Sequence, residues 1–256
     1  MLLGGFFIAN ALIAEFMGVK IFSLEETLGL KTVDITILNQ SGFSFNLSAG
    51  VLLWPVVFLL TDIINEYFGK KGVRLLSFMA VFLIGYAFVM LYLSIGLKPS
   101  EFWNTAHIDP EWSADRQAQM AMEVGNYNTA FGIVFGQSLW IIIGSLVAFL
   151  VSQFLDVIVF HQIKQWTGEK WIWLRATGST LVSQFIDSFV VLFIAFYIGA
   201  GWDWSLVLGI GLVNYSYKFT VAIILTPLLY LAHNWIDNYL GQELATSLKL
   251  KAMNTE

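Results

Sequence analysis

SQFLD at Ser152 to Asp156 and SQFID at Ser183 to Asp187 are near-copies of one another. Each sets a Gln and an Asp at i and i+3, on one face of a helix. Each lies in or at the end of a long apolar run. A third apolar run carries Thr61, Asp62, Asn65 and Glu66 at the same helical spacing. Acids and amides at membrane depth are costly, and they ordinarily face a polar space between helices. These strings predict an all-α integral membrane protein with an internal site built from carboxylates and carboxamides.

Composition agrees. The chain has 256 residues, 57% hydrophobic and 12% charged, with a mean hydropathy of +0.72. A soluble domain carries about 25% charged residues. So little polar surface cannot cover a chain in water, and lipid is its expected partner. One membrane domain is the simplest count. The net charge of −5 includes no basic tract suited to nucleic acid. Cysteine is absent, which excludes disulfides, thiolate metal sites and a Cys nucleophile. His107, His161 and His233 are far apart and form no metal-binding pair, and no glycine-rich loop leads into a helix to cradle a phosphate. No metal or cofactor is expected. The N-terminus lacks a basic lead, and Glu15 and Lys20 interrupt its apolar run, so it reads as a retained span.

A crossing helix needs about 20 mostly apolar residues. Six runs qualify, at roughly 2–23, 47–68, 75–97, 127–158, 175–200 and 205–234. Residues 24–46 read as short strands or turns, with a hairpin signalled by Val33, Ile35 and Ile37. The loop 98–126 contains Pro99 and Pro110 and is expected to include a short interfacial helix. The tail 241–256 reads as polar, frayed and cytoplasmic. Lys70, Lys71, Arg74, Lys164, Lys170, Arg175, Lys249 and Lys251 would share one side, against Lys31, Lys98 and Arg116 on the other. That bias places both termini in the cytoplasm. Trp103, Trp112, Trp202 and Trp204 fit an outer aromatic belt, and Trp166, Trp171 and Trp173 an inner one.

Each polar residue has a plain reading beside the functional one. Glu66 and Asp62 could pair with Lys70 or Arg74 at a helix end. Asp156 has His161 and Lys164 close by in sequence. Asp187 has no such outlet. It lies twelve residues beyond Arg175, roughly 18 Å along a helix, which makes it the leading site candidate. Lys218 is in mid-span, where a charge costs about 2.5–3.5 kcal/mol. A carboxylate partner would relieve that cost, and Asp187 is the nearest on the preceding run. A purely structural ion pair is the alternative. Asn10, Gln137, Gln153, Gln184 and Asn214 could be interhelical hydrogen-bonding glue. Phe185, Phe189, Tyr215 and Tyr217 could stack on a planar ring or simply pack. Pro227 would kink the last run, and Gly209 and Gly211 would let helices approach closely.

WPVVFLLTDIINEYFGKKGVR at 54–74 resembles the signature of the queuosine precursor transporter family, also called the putative vitamin uptake transporter family. GQ at Gly136 and Gln137, SQFLDVIVFHQIK at 152–164, LRATGSTLVSQFIDSF at 174–189 and YKFTVAIILTPLLY at 217–230 continue the likeness in order. The resemblance covers the second to sixth runs. Two departures are the very short lead before the first run and the long loop 98–126.

The resemblance implies six transmembrane helices, N-in and C-in, in the bacterial inner membrane, similar in outline to the substrate-binding subunits of energy-coupling-factor importers. The implied cargo is a 7-deazaguanine base, such as 7-cyano- or 7-aminomethyl-7-deazaguanine, and a homodimer is compatible with it. Such a base presents N1–H and a 2-amino group side by side, which a carboxylate accepts as a forked pair. Its carbonyl needs a donor. Asp187, Gln184, Gln153, Asp156, Lys218, Asp62, Asn65, Glu66, Asn10 and Gln137 are the candidates for binding it. Two other classes stay open. One is a binding subunit that needs a separate ATP-driven module. The other is an intramembrane enzyme using Asp156 and Asp187 as acid and base.

Overall fold

The computed structural model describes residues 2–168 and 171–254. Lys170, one of the cations weighed for orientation, lies outside them. The elements in order are α1 (Leu2–Met17), β1 (Ile21–Ser23), α2 (Leu24–Thr27), β2 (Ile35–Ile37), β3 (Gln40–Phe43), β4 (Asn46–Ser48), α3 (Trp54–Ile95), α4 (Ala114–Val124), α5 (Tyr127–Phe135), α6 (Leu139–Thr167), α7 (Ile172–Leu192), α8 (Trp204–Leu240) and α9 (Gln242–Asn254). The chain divides into two compact units, one of Met1–Phe82 with Leu139–Glu256 and one of Leu83–Ser138.

Four stretches among the described residues are long and apolar enough to cross a membrane: Trp54–Ile95, Ala114–Thr167, Ile172–Ile198 and Trp204–Leu240, with the shorter apolar α1 beside them. The runs expected at 47–68 and 75–97 are joined in α3. The two halves meet without a loop, at Gly69, whose φ of 67° and ψ of −170° break the helix. That conformation is open essentially to glycine alone. A side chain there would also strike the Ala252 carbonyl of α9, 2.7 Å from where its Cβ would stand. The run expected at 127–158 is divided instead, into α5 and α6, by three non-helical residues at 136–138. α6 then continues to Thr167. α7 ends in a π-helical turn, Phe193–Ile198, and α8 runs on through Pro227.

The larger unit is turned inside out relative to a soluble protein. Phe78, Phe82, Val147, Val151, Ile158, Ile223, Ile224, Leu228 and Leu231 are exposed. Thr61, Asp62, Asn65, Glu66, Ser152, Gln153, Asp156, Lys164, Arg175, Ser179, Ser183 and Gln184 are buried. Lipid is the solvent that suits such an exterior. α6 and α7 bring small Ser and Ala side chains to their shared face, which lets the backbones come close. Gly209 and Gly211 on α8 do similar work, leaving room that the rings of Phe43 and Phe189 fill.

Two small antiparallel pairs precede α3. β1 pairs with β4, placing Phe22 opposite Leu47. β2 and β3 form the expected hairpin, with Ile35 opposite Phe43 and Ile37 opposite Gln40. Its turn residues Leu38 and Asn39 both have positive φ, 51° and 64°, as a tight two-residue hairpin turn requires.

The segment expected to be frayed is α9. Lys249 bonds Asp237 of α8 at 2.8 Å, and Ala245 joins an apolar cluster with Ile63, Tyr67, Phe160, Ala176 and Leu229. Polar composition hid its docking, which rests on few apolar side chains, Ala245 and the partly buried Leu248. In the smaller unit a short 3-10 turn, Glu101–Thr105, precedes α4, and Trp103 packs against Tyr127 and Phe131.

Candidate functional site

The first half of α3, with α6 and α7, places three buried acids in one region. Asp62 and Glu66 come from α3, one helical turn apart, and Asp156 from α6. Their partners differ sharply.

Glu66 is fully paired. Lys164 reaches its Oε1 at 3.0 Å. Arg175 grips both oxygens, with Nη2 donating to Oε1 at 2.9 Å and Nε to Oε2 at 3.2 Å. Arg175 also donates to the Gly168 carbonyl at 3.0 Å. All three side chains are at most 2% exposed. Forked Arg–carboxylate geometry of this kind is the strong form of the interaction. The cations that sequence proximity suggested for Glu66, Lys70 and Arg74, are exposed instead. Asn65, beside Glu66, bonds His161 Nε2 through its Oδ1 at 2.9 Å. His161 and Lys164 are thereby occupied and do not serve Asp156.

Asp62 and Asp156 are under-served. Thr180 of α7 donates to Asp62 Oδ2 at 3.3 Å, and Asp62 Oδ1 has no hydrogen-bond partner. Ser183 donates to Asp156 Oδ1 at 3.1 Å, and Oδ2 has none. The two carboxyls are electrostatic neighbours. Gln153 accepts from Thr61 at 2.9 Å, but its Nε2 is unsatisfied. Asn65 Nδ2 and Gln184 Oε1 are unsatisfied too. Buried polar groups are overwhelmingly hydrogen-bonded in folded proteins, so a concentration of unmet ones calls for an explanation. A polar ligand is one.

A partly open cleft adjoins this cluster. Asp62, Thr180 and Gln184 line one wall, and Trp54, Lys218 and Thr226 are among the residues around it. Gln153 and Asp156 are fully buried and are not part of its lining.

Lys218 bonds Asp187 Oδ2 at 2.5 Å, the partnership its mid-span position called for. The pair is 13% and 21% exposed, less buried than the cluster around Glu66. Depth along the helix does not translate into burial for Asp187, because distance from a helix end does not say which face looks inward. We expect Lys218→Met and Asp187→Asn each to destabilise the protein, and the double variant to be more stable than their sum predicts. Thermal unfolding of the four proteins in detergent measures this; simple additivity would show that the pair is not coupled.

Two candidates are not in the cluster. Asn10 donates to the Phe6 carbonyl of its own helix at 2.8 Å. Gln137 sits half-buried in the non-helical break between α5 and α6, within the smaller unit. Sequence reasoning passed over Thr180, counted Arg175 as a loop cation, and noted Thr61 and Ser183 without making them binding candidates. The stripe of hydroxyls at 179, 180 and 183, one turn from Gln184, was the available signal. A second polar link also went unseen: Tyr67 donates to Asp237 at 2.7 Å and lies against His233.

Residues 48–232 match the family described as putative vitamin uptake transporter. The chain belongs to that family. The matched range contains the whole buried cluster together with Asp187 and Lys218. A probable queuosine precursor transporter of Haemophilus influenzae is 29% identical over 138 residues, 52% of this chain and 47% of that protein. The chain thus spans about half the length of the curated relative it matches. No solved structure matches the chain. Family and apolar helices together make it a multi-pass membrane protein.

Proposed function

We propose that this protein imports 7-deazaguanine bases, precursors of queuosine, across the bacterial inner membrane. The observation that carries this reading is the set of unsatisfied polar atoms in and next to the cavity wall: the acceptors Asp62 Oδ1 and Gln184 Oε1 belong to lining residues, and the donors Gln153 Nε2 and Asn65 Nδ2 to the buried cluster that adjoins it. A bare cation needs only acceptors. A base with N1–H, a 2-amino group and a carbonyl on one edge needs both kinds. In this reading Asp62 takes the forked N1–H and 2-amino pair. Gln184 lies beside it, Trp54 offers an aromatic face, and Lys218 stands across the cavity. Asp156 and Gln153 support this wall from behind. Asp187, already held by Lys218, is a positioning residue here and not the main acceptor. The named relative supports the cargo class.

Six crossings are proposed: α1, the two halves of α3, α6, α7 and α8, with both termini cytoplasmic. Single cysteines at the exposed positions Ser113 and Ser247 should be labelled from opposite sides of the membrane. Labelling of both from one side would refute the six-crossing arrangement.

Uptake of 7-cyano-7-deazaguanine by liposomes containing only the purified protein, without ATP, tests the function. Uptake is the expected result. If the base is bound but not carried until an ATP-driven module is added, the protein is a binding subunit.

A further inference from the structure

The buried charges around the cavity do not balance. Asp62, Asp156 and Glu66 supply three carboxyls, and Lys164 and Arg175 supply two cations. Both cations engage Glu66. On the remaining helix, α8, Lys218 is matched by Asp187 of α7. His161 of α6 has Lys70, Lys164 and Glu66 as charged neighbours, and its Nε2 is engaged by Asn65 Oδ1. His233 of α8 packs on Tyr67, and its neighbours include Lys249 and Arg175 as well as Asp237 and Glu66. Glu15 of α1 is a separate buried acid, bonded by the Ser145 hydroxyl at 2.5 Å. With every acid of the central cluster ionised, one negative charge stays uncompensated among the described residues. An unpaired charge in a dry, apolar setting costs several kcal/mol, and repulsion between the neighbouring Asp62 and Asp156 carboxyls adds to it.

The unpaired oxygens say where relief belongs. Asp62 Oδ1 and Asp156 Oδ2 both lack a donor, and the residues are 4% and 0% exposed. A single proton on the pair neutralises the excess charge and supplies the missing O–H donor. From these facts we infer that Asp62 and Asp156 share one proton in this arrangement, and that this proton couples transport to the proton gradient. The coupling half of the inference rests on the proposed cargo. When a base docks on Asp62, its N–H groups need that carboxyl ionised, so the proton resides on Asp156. When the cavity opens to water, the pair can be hydrated as two anions and the proton leaves. Each closure around a base therefore takes up one proton, and no bond other than O–H forms or breaks. This gives the two acids different duties, one facing cargo and one storing the proton.

Infrared difference spectra of purified protein, parent minus Asp156→Asn and parent minus Asp62→Asn, test the proton directly. We expect a protonated-carboxyl band that shifts in heavy water and is lost in either variant, because one Asn restores charge balance. The difference format removes any contribution from Glu15, and either folded variant suffices. No such band in the parent would overturn the inference. Liposomes given an acidic exterior test the coupling. One proton per base predicts accumulation of 7-cyano-7-deazaguanine of about tenfold per pH unit of gradient. Equilibration without accumulation, whatever the gradient, would overturn the coupling. If the base neither binds nor enters while the band is present, the proposed cargo is wrong and the proton site stands.

Discussion

Glu66→Gln is expected to destabilise the protein by about 3–5 kcal/mol. The carboxylate is fully buried and holds two cations, Lys164 at 3.0 Å and Arg175 at 2.9 Å. A carboxamide of the same shape keeps the volume but removes the charge. Lys164 and Arg175, at most 2% exposed, would then lose the anion they share. Arg175 cannot shed its proton, and neither side chain has ready access to water. The linkage joins α3 to α6 and α7 and adjoins the apolar cluster of Ile63, Tyr67, Phe160, Ala176, Leu229 and Ala245, so its loss should be felt by α9 as well. Yield of folded protein and thermal unfolding in detergent read the effect. Asp62→Asn, one turn away, should be much milder, because Asp62 has no cation of its own and Thr180 can still bond an amide oxygen. If Glu66→Gln is as stable as the parent, the ion triad contributes nothing to holding these helices together.

Asp62→Asn should instead weaken binding of 7-cyano-7-deazaguanine by roughly thirtyfold, since losing one charged hydrogen-bonding partner of a buried ligand costs about 2 kcal/mol or more. The amide presents one acceptor where the base offers two adjacent donors, and its own NH₂ would oppose one of them. An analogue lacking the 2-amino group makes only half of the forked contact, so it should lose less. The two ligands together separate a lost contact from a misfolded site. Equal losses for both would point to a general disturbance, and undiminished binding would remove Asp62 from the site. Titration of purified, folded variant by calorimetry gives both numbers.

Much of this architecture could be read from the chain. Apolar run length marks the helices, because lipid imposes a minimum span. The Lys218–Asp187 pair follows from the cost of a mid-span charge and the nearest carboxylate on the preceding helix. The partners of Glu66 were beyond reach for a definite reason. Lys70 and Arg74 are local in sequence, whereas Lys164 and Arg175 are 98 and 109 residues away, and only tertiary packing brings them in. The same limit explains why Asp187 outranked Asp62 and Asp156. Sequence depth measures distance along a helix, while burial depends on which neighbour covers each face. The joined helix at Gly69 was hidden because the charges at 70, 71 and 74 look like a loop. They are instead the exposed face of the helix that restarts after the break.

Determination of the structure with 7-cyano-7-deazaguanine bound tests the central claim most directly. The account predicts the base in the cavity walled by α3, α7 and α8, its N1–H and 2-amino group on Asp62, with Gln184 alongside and the Glu66–Arg175 fork unbroken. A base bound elsewhere, or bound here with Asp62 still making no contact to it, would contradict the account.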